Sequence, residues 1–239
     1  MKKPNRRLCI HYVIGVDLGA AMQPTAIAVV EQEVIDLLGK GLEVRAMRLR
    51  HLERLPLDAP YHAVIDRVKY LLDALKEQEG DFHPWTKEPC SDLVVDITGT
   101  GRAVGDFMNK AKVDPILVTI TGGAGETQIK ENDWKISKAD LVGGLQVLFQ
   151  NPDTRFQVAK EIPLVPKFLE ELQAFKLKPP ALNPNDPESW RERPDDDLVF
   201  AVALAAWRAR RYLPTPAATR ERWDKRLDEY YKEIGPSFV

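Results

Sequence analysis

One segment near the N-terminus constrains the fold more than any other part of the chain. An apolar run over residues 12–16 ends at Asp17, a small-residue turn follows, and a β-branched run covers residues 25–30. Two such runs, joined by a link that contains glycine and proline, predict a pair of β-strands. The first run does not alternate, which is typical of a central strand covered on both faces. Asp17 therefore ends a buried strand, where a carboxylate is costly unless it is paired or binds a cation.

The composition is that of an ordinary soluble globular protein. The 239 residues are 44% hydrophobic and 29% charged, which is enough apolar content for a sizeable core in one large or two small domains. The formal net charge is −2. That balance does not indicate a dominant basic surface for nucleic acid, although a local basic patch stays open.

Cysteine usage and the N-terminus indicate an unexported protein. Cys9 and Cys90 are the two cysteines and have no metal-type spacing, so we expect a reducing compartment without disulfides. The basic N-terminus resembles the start of a signal peptide, but the next apolar run carries His11 and Asp17 and lacks a small-residue cleavage site. The longest apolar helical run, residues 198–207, is too short to span a bilayer. We predict a soluble, cytoplasmic protein.

The remaining pattern predicts an α/β domain with a central mixed β-sheet flanked by helices, in which an antiparallel meander precedes parallel βαβ units. This domain covers residues 1–213, with its core over about 12–212, and a charged helical tail follows over 214–239. A proline-rich stretch over residues 176–194 is expected to be a loop. The other predicted strands cover residues 41–55, 91–98, 113–121 and 156–159, and the predicted helices cover 61–79, about 102–111, 138–150, 165–175 and 198–212.

Acidic residues stand at the ends of three predicted elements. Asp17 ends the first strand, Asp96 ends the strand over 91–98, and residues 195–197 are three aspartates before the last core helix. If the first two strands pair, their carboxylates meet at one sheet edge, where oxygen ligands suit Mg²⁺ or Mn²⁺. Each aspartate also has a structural interpretation, as a turn cap or as a partner of the helix dipole. Spacing alone leaves both interpretations open.

Five segments, taken in order, resemble the nuclease domain of phage terminase large subunits, the DNA-packaging motors whose nuclease has an RNase H-like fold. The resemblance runs from about residue 12 to residue 207, and the ordered set is more specific than any one motif. The segments are GVDLG followed by TAIAVVE, VVDITGTGRAVGDFM, VTITGG, KISKADLVGGLQVLFQ and DDDLVFAVALAAW.

The resemblance implies metal-dependent endonucleolytic cleavage of double-stranded DNA with two Mg²⁺ or Mn²⁺ ions. The metal-binding acids of the family fall on Asp17, Asp96, Asp196 and Asp197, and of these Asp17, Asp96 and Asp197 would be catalytic. Many members carry Glu in place of Asp96 and His in place of Asp195. Whether Asp195 or Asp196 is a ligand, an accessory base or a bystander therefore stays open.

Several basic residues are candidate contacts to DNA phosphates. Arg102 follows a glycine turn at a predicted helix N-terminus, and Lys138 lies in the SKADL segment. For each residue alone, solvated surface charge is the simpler interpretation. A local basic track could also form from arginines of the third strand and the last core helix, namely Arg45, Arg48, Arg50, Arg208, Arg210 and Arg211.

The chain departs from the family in one respect, because it contains no G-x-x-x-x-G-K-[ST] loop for an ATPase. It is therefore either the excised nuclease part of a motor or a free-standing relative. Its partners would be double-stranded DNA and other packaging proteins, such as a small terminase, a portal or a separate ATPase, and no membrane.

Three other functions stay open. VDLG followed by a threonine also resembles the first phosphate loop of actin-like ATPases and sugar kinases, although that fold needs two domains. A non-catalytic RNase H-like module that binds DNA or packaging partners would use the aspartates as caps. Resolvase activity on branched DNA is a further possibility within the nuclease class.

Overall fold

A computed structural model describes residues 6–19, 23–37, 42–79, 91–99, 102–150, 156–175 and 196–211. Within these ranges the chain forms eight strands and five helices. The strands are β1 (Arg6–Asp17), β2 (Ala26–Leu37), β3 (Leu42–Arg54), β4 (Ser91–Asp96), β5 (Ile116–Thr121), β6 (Glu126–Lys130), β7 (Asp133–Ser137) and β8 (Phe156–Val158). The helices are α1 (Tyr61–Glu79), α2 (Arg102–Lys110), α3 (Lys138–Gln150), α4 (Val165–Ala174) and α5 (Asp197–Arg211).

The strands form one mixed sheet in the order β6-β7-β5-β4-β1-β2-β3-β8. β1, β2 and β3 pair as an antiparallel meander, and β4 and then β5 add in parallel on the other side of β1. The central order 3-2-1-4-5 is the core arrangement of the RNase H-like fold, so the predicted fold class is confirmed. The described residues form a single sheet of this kind. The actin-like ATPase fold, which the sequence left as an alternative, needs two domains.

Helices cover both faces of the sheet, and the residues of β1 divide between them. Val13 packs with α3, α4 and α5 in one apolar core, whereas Ile14 and Val16 pack with α1 and α2 in the other. β1 is therefore buried on both sides, as its unbroken apolar run predicted. The same parity places Asp17 and Gly15 on the face that α5 covers.

α5 crosses β1 at very close range, and Gly15 makes this possible. A Cβ atom on Gly15 would clash with the carbonyl oxygen of Ala201 and lie 2.8 Å from the amide nitrogen of Ala205. The middle of α5 is alanine-rich and buried, so its backbone can approach the strand. This contact fixes where the N-terminus of α5 lies relative to the end of β1.

The structure adds a hairpin, β6–β7, that the sequence analysis did not predict. All of β6 is exposed, so it carries no apolar pattern, and antiparallel pairing with β7 holds it. The hairpin is attached to α5 by stacked side chains: the Trp134 and Trp207 rings lie 5.4 Å apart, and the Arg211 guanidinium lies 5.0 and 5.2 Å from their centroids. Glu126 pairs with Arg211 and accepts a hydrogen bond from Trp207 Nε1.

Most predicted element bounds agree with the structure. The helices over residues 61–79 and 138–150 have the predicted bounds, whereas β1 and β2 are longer than predicted. Three large apolar side chains of the helices are exposed, namely Phe107, Phe149 and Leu169. The predicted loop 176–194 and the predicted tail 214–239 lie outside the described residues. In the described part of the chain, no helix is both long and apolar enough to cross a membrane.

We predict that Gly15→Ala destabilises the fold, because the new methyl group must push α5 away from β1. Overpacking of this kind costs about 1–3 kcal/mol, and the backbone clash places it at the upper end. Gly143→Ala is the matched control, because Gly143 lies in α3 with open space around its Cβ position. It should be stabilising by about 0.5–1 kcal/mol. Urea unfolding measures both, and equal stabilities for the two variants would contradict the close crossing.

Candidate active site

Asp17 and Asp96 lie side by side at one edge of the sheet. They are direct Cα partners at the carboxyl ends of the parallel strands β1 and β4, and neighbouring strands lie about 4.8 Å apart. Asp17 shares the parity of Gly15, and Asp96 shares that of Val94, so both carboxylates project from the face covered by α5. Asp17 is half-buried and Asp96 is buried. The sequence expectation that the two would meet at this edge agrees with this register.

Asp96 also caps the turn that follows β4. Its Oδ1 accepts hydrogen bonds from the Thr98 amide at 2.7 Å and the Thr98 hydroxyl at 2.5 Å. That hydroxyl oxygen in turn accepts a bond from the Ile120 amide at 2.7 Å, which ties the turn to β5. Capping of this turn therefore accounts for the hydrogen bonds that Oδ1 of Asp96 accepts. In the turn after Asp17, the Gly19 amide donates to Thr25 Oγ1 at 3.1 Å.

Asp197 begins α5 and is held by an arginine from β3. Arg54 donates from Nε to Oδ2 of Asp197 at 2.7 Å and from Nη2 to Oδ1 at 2.6 Å, a bidentate pair. The same Nη2 donates to Oε1 of Glu171 in α4 at 2.5 Å. One guanidinium therefore bridges two buried carboxylates. The position of Asp197 in the first turn of α5 also places its negative charge favourably toward the helix dipole.

Burial and charge act on this cluster in opposite directions. Burial and the charge of Asp197 together raise the pKa of Glu171 to about 7, because the charge and hydrogen bond of Arg54 offset only part of their effect. For Arg54, burial alone would lower the pKa, but the bonds and charges of Asp197 and Glu171 raise it above its ordinary value. Oε2 of Glu171 is buried and has no hydrogen-bond partner among the residues that the structure describes. Two carboxylates therefore share one guanidinium, and the second carboxylate is incompletely satisfied.

A single row across four strands connects this cluster to the aspartate pair. Asp96 is in register with Asp17, Asp17 with Ala26, and Ala26 with Arg54. Two strand spacings separate the backbones of Asp17 and Arg54, roughly 10 Å. Ala26 lies between them, is fully buried and presents only a methyl group on this face. The side chains of Arg54 and Asp17 therefore stand on the same face of the sheet, with one small apolar residue between their backbones.

The residues at this edge fit one oxygen-preferring cation better than two. Asp17 and Asp96 supply neighbouring carboxylates of the type that Mg²⁺ and Mn²⁺ bind. Asp197, the third predicted ligand, has both oxygens bonded to Arg54. In the part of the chain that the structure describes, no three acidic, histidine or cysteine side chains lie close enough to share a metal ion. A second ion would therefore require Asp197 to leave Arg54.

The other predicted site residues lie near this edge or outside the described part. Lys138 begins α3, directly after β7, and its Nζ lies 5.1 Å from the Phe200 ring in the first turns of α5. Arg102 begins α2 as predicted, and its side chain is outside the described residues. Asp196 is half-buried immediately before α5, and its carbonyl oxygen accepts the Phe200 amide. Asp195 lies outside the described residues.

The proposed basic track is compensated by carboxylates and needs correction. Four of its arginines form ion pairs within the chain, and Arg210 lies against α3 beside Gly144. The side chain of Arg45 is outside the described residues. These pairs reduce the positive charge available to a phosphate backbone. They are Arg48 with Glu31 and Glu33, Arg50 with Glu31, Arg208 with Asp92, and Arg211 with Glu126.

The sequence analysis missed Arg54 and Glu171. Glu171 stands three residues after the buried Phe168, on the face of α4 that packs inward, whereas Leu169 is exposed. A glutamate at an i+3 position from a core phenylalanine is a signal that could have indicated a buried partner. Arg54 shares strand parity with the buried Leu52, which is the corresponding signal in β3.

No family model matches the chain, and no curated protein matches it significantly. Among solved structures, it is similar to the nuclease domain of the large terminase g2p from bacteriophage SPP1 with bound Mn, at 10% identity and a TM-score of 0.43, over 83% of this chain and 86% of that one. It is also similar to the Mn-soaked terminase nuclease domain of human cytomegalovirus, at 12% identity and a TM-score of 0.44, over 83% of this chain and 81% of that one.

Both neighbours are terminase nuclease domains, which is the class of protein that the five ordered sequence segments resemble. With TM-scores below 0.5 and identities near one residue in ten, the similarity carries no argument about what this chain does. The functional argument therefore depends on the chain's own residues.

We predict that Glu171 makes stability depend on pH. Its pKa of about 7 lies above the ordinary 4.5. Between these two pH values, the folded chain therefore keeps a proton on Glu171 that the unfolded chain has lost. Its contribution to stability therefore falls as pH rises through this window. Relative to that of the wild type, the free energy of unfolding of Glu171→Gln should increase by about 1–3 kcal/mol when the pH rises from about 5 to about 8.

Glu170→Gln provides the matched control, because Glu170 lies on the exposed side of the same helix beside Lys167. Urea unfolding of the three proteins at both pH values gives the comparison. Parallel stability curves for the wild type and Glu171→Gln would contradict the raised pKa of Glu171.

Proposed function

We propose that the protein is a metal-dependent DNA endonuclease resembling the nuclease domain of a phage DNA-packaging terminase large subunit. One observation carries the proposal: Asp17 and Asp96 are register partners at the carboxyl ends of adjacent parallel strands, on the face where α5 begins with Asp197. Carboxylates converging from strand ends and a helix start are the arrangement that divalent cations need for phosphodiester hydrolysis.

The cofactor of the proposed reaction is Mg²⁺ or Mn²⁺, in a two-ion form. Bound divalent ions would supply a water nucleophile and charge stabilisation for the leaving oxygen. Asp17 and Asp96 would hold the first ion, and Asp197 would contribute to the second, with Asp196 as a further candidate ligand. The close crossing at Gly15 supports this role, because it holds the start of α5 at the sheet edge from which Asp197 would reach the second ion.

The proposed substrate is double-stranded DNA, handled together with other packaging proteins. In that setting the protein acts in the cytoplasm of a bacterial host, and a small terminase, portal or separate ATPase would be its partners. Lys138 and Arg102 are the proposed phosphate contacts. Lys138 supports this role through its position at the carboxyl edge of the sheet, beside the start of α5.

We predict that the purified chain cuts plasmid DNA in Mn²⁺ or Mg²⁺, and that Asp17→Asn and Asp96→Asn each reduce cutting at least about 100-fold, because each removes a negatively charged ligand. Asn at position 96 keeps an oxygen that accepts the Thr98 bonds, so the turn is preserved while the charge is lost. Gel electrophoresis of supercoiled plasmid measures the rate.

Asp92→Asn is the matched control for cleavage. Asp92 lies on β4 as well but at its opposite end, where it pairs with Arg208. This variant should cut like the wild type. Wild-type cutting by Asp17→Asn would remove the site assignment, and four-way junctions compared with linear DNA would distinguish a resolvase from a packaging-type nuclease.

A second candidate function is a non-catalytic RNase H-like module that binds DNA or packaging partners. The pairing of Asp197 with Arg54 and the capping bonds of Asp96 favour it, because both give the acids a structural role. DNA binding without cutting under any divalent ion would favour this module over the nuclease.

We predict that Lys138→Ala weakens binding to double-stranded DNA and reduces the slope of log affinity against log salt by about 1, since one phosphate contact is lost. Fluorescence anisotropy at several salt concentrations gives the slope. Lys135→Ala serves as the control, because Lys135 is an exposed lysine of the adjacent strand β7. The contact proposed for Lys138 is wrong if the two variants behave alike.

A further inference from the structure

Arg54 occupies the position of a counter-ion in the proposed site. Its guanidinium lies between the first residue of α5 and a buried glutamate of α4, and its side chain is 22% exposed. It donates two hydrogen bonds to Asp197 and one to Glu171. Asp197 is thereby neutralised without a metal ion, and the same bonds take both of the oxygens that a metal would need.

Glu171 has an unused acceptor beside this pair. The Glu171 side chain is 1% exposed. Its Oε1 already accepts from Arg54 Nη2, whereas within the described ranges its buried Oε2 has no hydrogen-bond partner. A buried carboxylate oxygen without a donor is costly. A small rotation of the guanidinium would let Arg54 donate to both oxygens of Glu171, in the bidentate form that arginine and carboxylate prefer.

We propose that Arg54 is an exchangeable internal counter-ion, which holds Asp197 in the metal-free protein and transfers its hydrogen bonds to Glu171 when a divalent cation binds Asp197. The inference rests on the nuclease proposed above and assigns the residues that control entry of its second ion. Arg54 and Glu171 are positioning residues in this scheme, since they act through Asp197.

Arg54 and its two carboxylates stay compensated in both arrangements. In the metal-free arrangement, Arg54 compensates Asp197 and in part Glu171. In the metal-bound arrangement, the second ion would compensate Asp197, and Arg54 would compensate Glu171 alone. Neither Asp197 nor Glu171 is therefore left buried without a positive partner, which avoids the large cost of an unpaired buried charge.

The test is the affinity of the full chain for Mn²⁺, measured by isothermal titration calorimetry and by the shift in Tm on adding Mn²⁺. Arg54→Met removes the competitor for Asp197, so we expect Mn²⁺ affinity to rise roughly tenfold or more, which is the scale of a neighbouring charge. Glu171→Gln removes the charge that receives the displaced arginine, so Mn²⁺ affinity should fall by a similar factor.

Arg48→Met is the matched control. Arg48 lies on the same strand, is exposed to a similar extent at 24%, and likewise bridges two carboxylates, Glu31 and Glu33. Its removal should leave the Mn²⁺ affinity unchanged. A purely structural role for Arg54 would lower the Tm in both arginine variants without raising Mn²⁺ affinity in either.

The outcomes separate this inference from the proposed function. Equal Mn²⁺ affinities in the wild type, Arg54→Met and Glu171→Gln would overturn the exchange, while plasmid cutting by the wild type would leave the nuclease standing. Absence of both Mn²⁺ binding and cutting in every protein would overturn the two together. If circular dichroism shows that Arg54→Met is unfolded, Glu171→Gln alone decides, and a wild-type affinity in that variant overturns the exchange.

Discussion

The close packing of α5 on β1 is the contact on which the site depends. Gly15 removes the side chain that would separate the helix from the strand, and the alanines of α5 do the same from the other side. The helix start is therefore held over the end of β1, where Asp17 stands. A side chain at position 15 would move Asp197 together with the helix, so a residue with no functional group sets the geometry of the acidic edge.

The sequence predicted the elements that have strong apolar patterns and the edge at which Asp17 and Asp96 meet. Strand ends are readable because an apolar run stops there, and parallel pairing then places the end residues together. The β6–β7 hairpin was missed because β6 is wholly exposed and held by backbone pairing. Such a strand leaves no hydrophobic signal, since its stability comes from its neighbour rather than from burial.

Arg54 and Glu171 could not be paired from the sequence for a different reason. They are 117 residues apart, on a strand and a helix, and the contact exists only because α4 and α5 pack over the same part of the sheet. The local pattern of each residue can indicate burial, but in a chain that is 29% charged neither pattern identifies which partner it has. Charge pairing across elements depends on three-dimensional register, which local patterns do not encode.

The carboxylates of Asp17 and Asp96 at the sheet edge, and the Arg54 guanidinium between Asp197 and Glu171, follow from one electrostatic requirement. Asp96, Asp197 and Glu171 are buried, and Asp17 is half-buried beside them; burying several carboxylates together is unfavourable unless positive charge accompanies them. In the proposed nuclease, the chain must fold before divalent ions bind. Arg54 meets that requirement for the helix side of the site, while the turn bonds of Thr98 serve Asp96 on the strand side. The groups that allow the metal-free chain to fold would therefore compete with the ions of the proposed site, and Asp197 would be the residue at which this competition is concentrated.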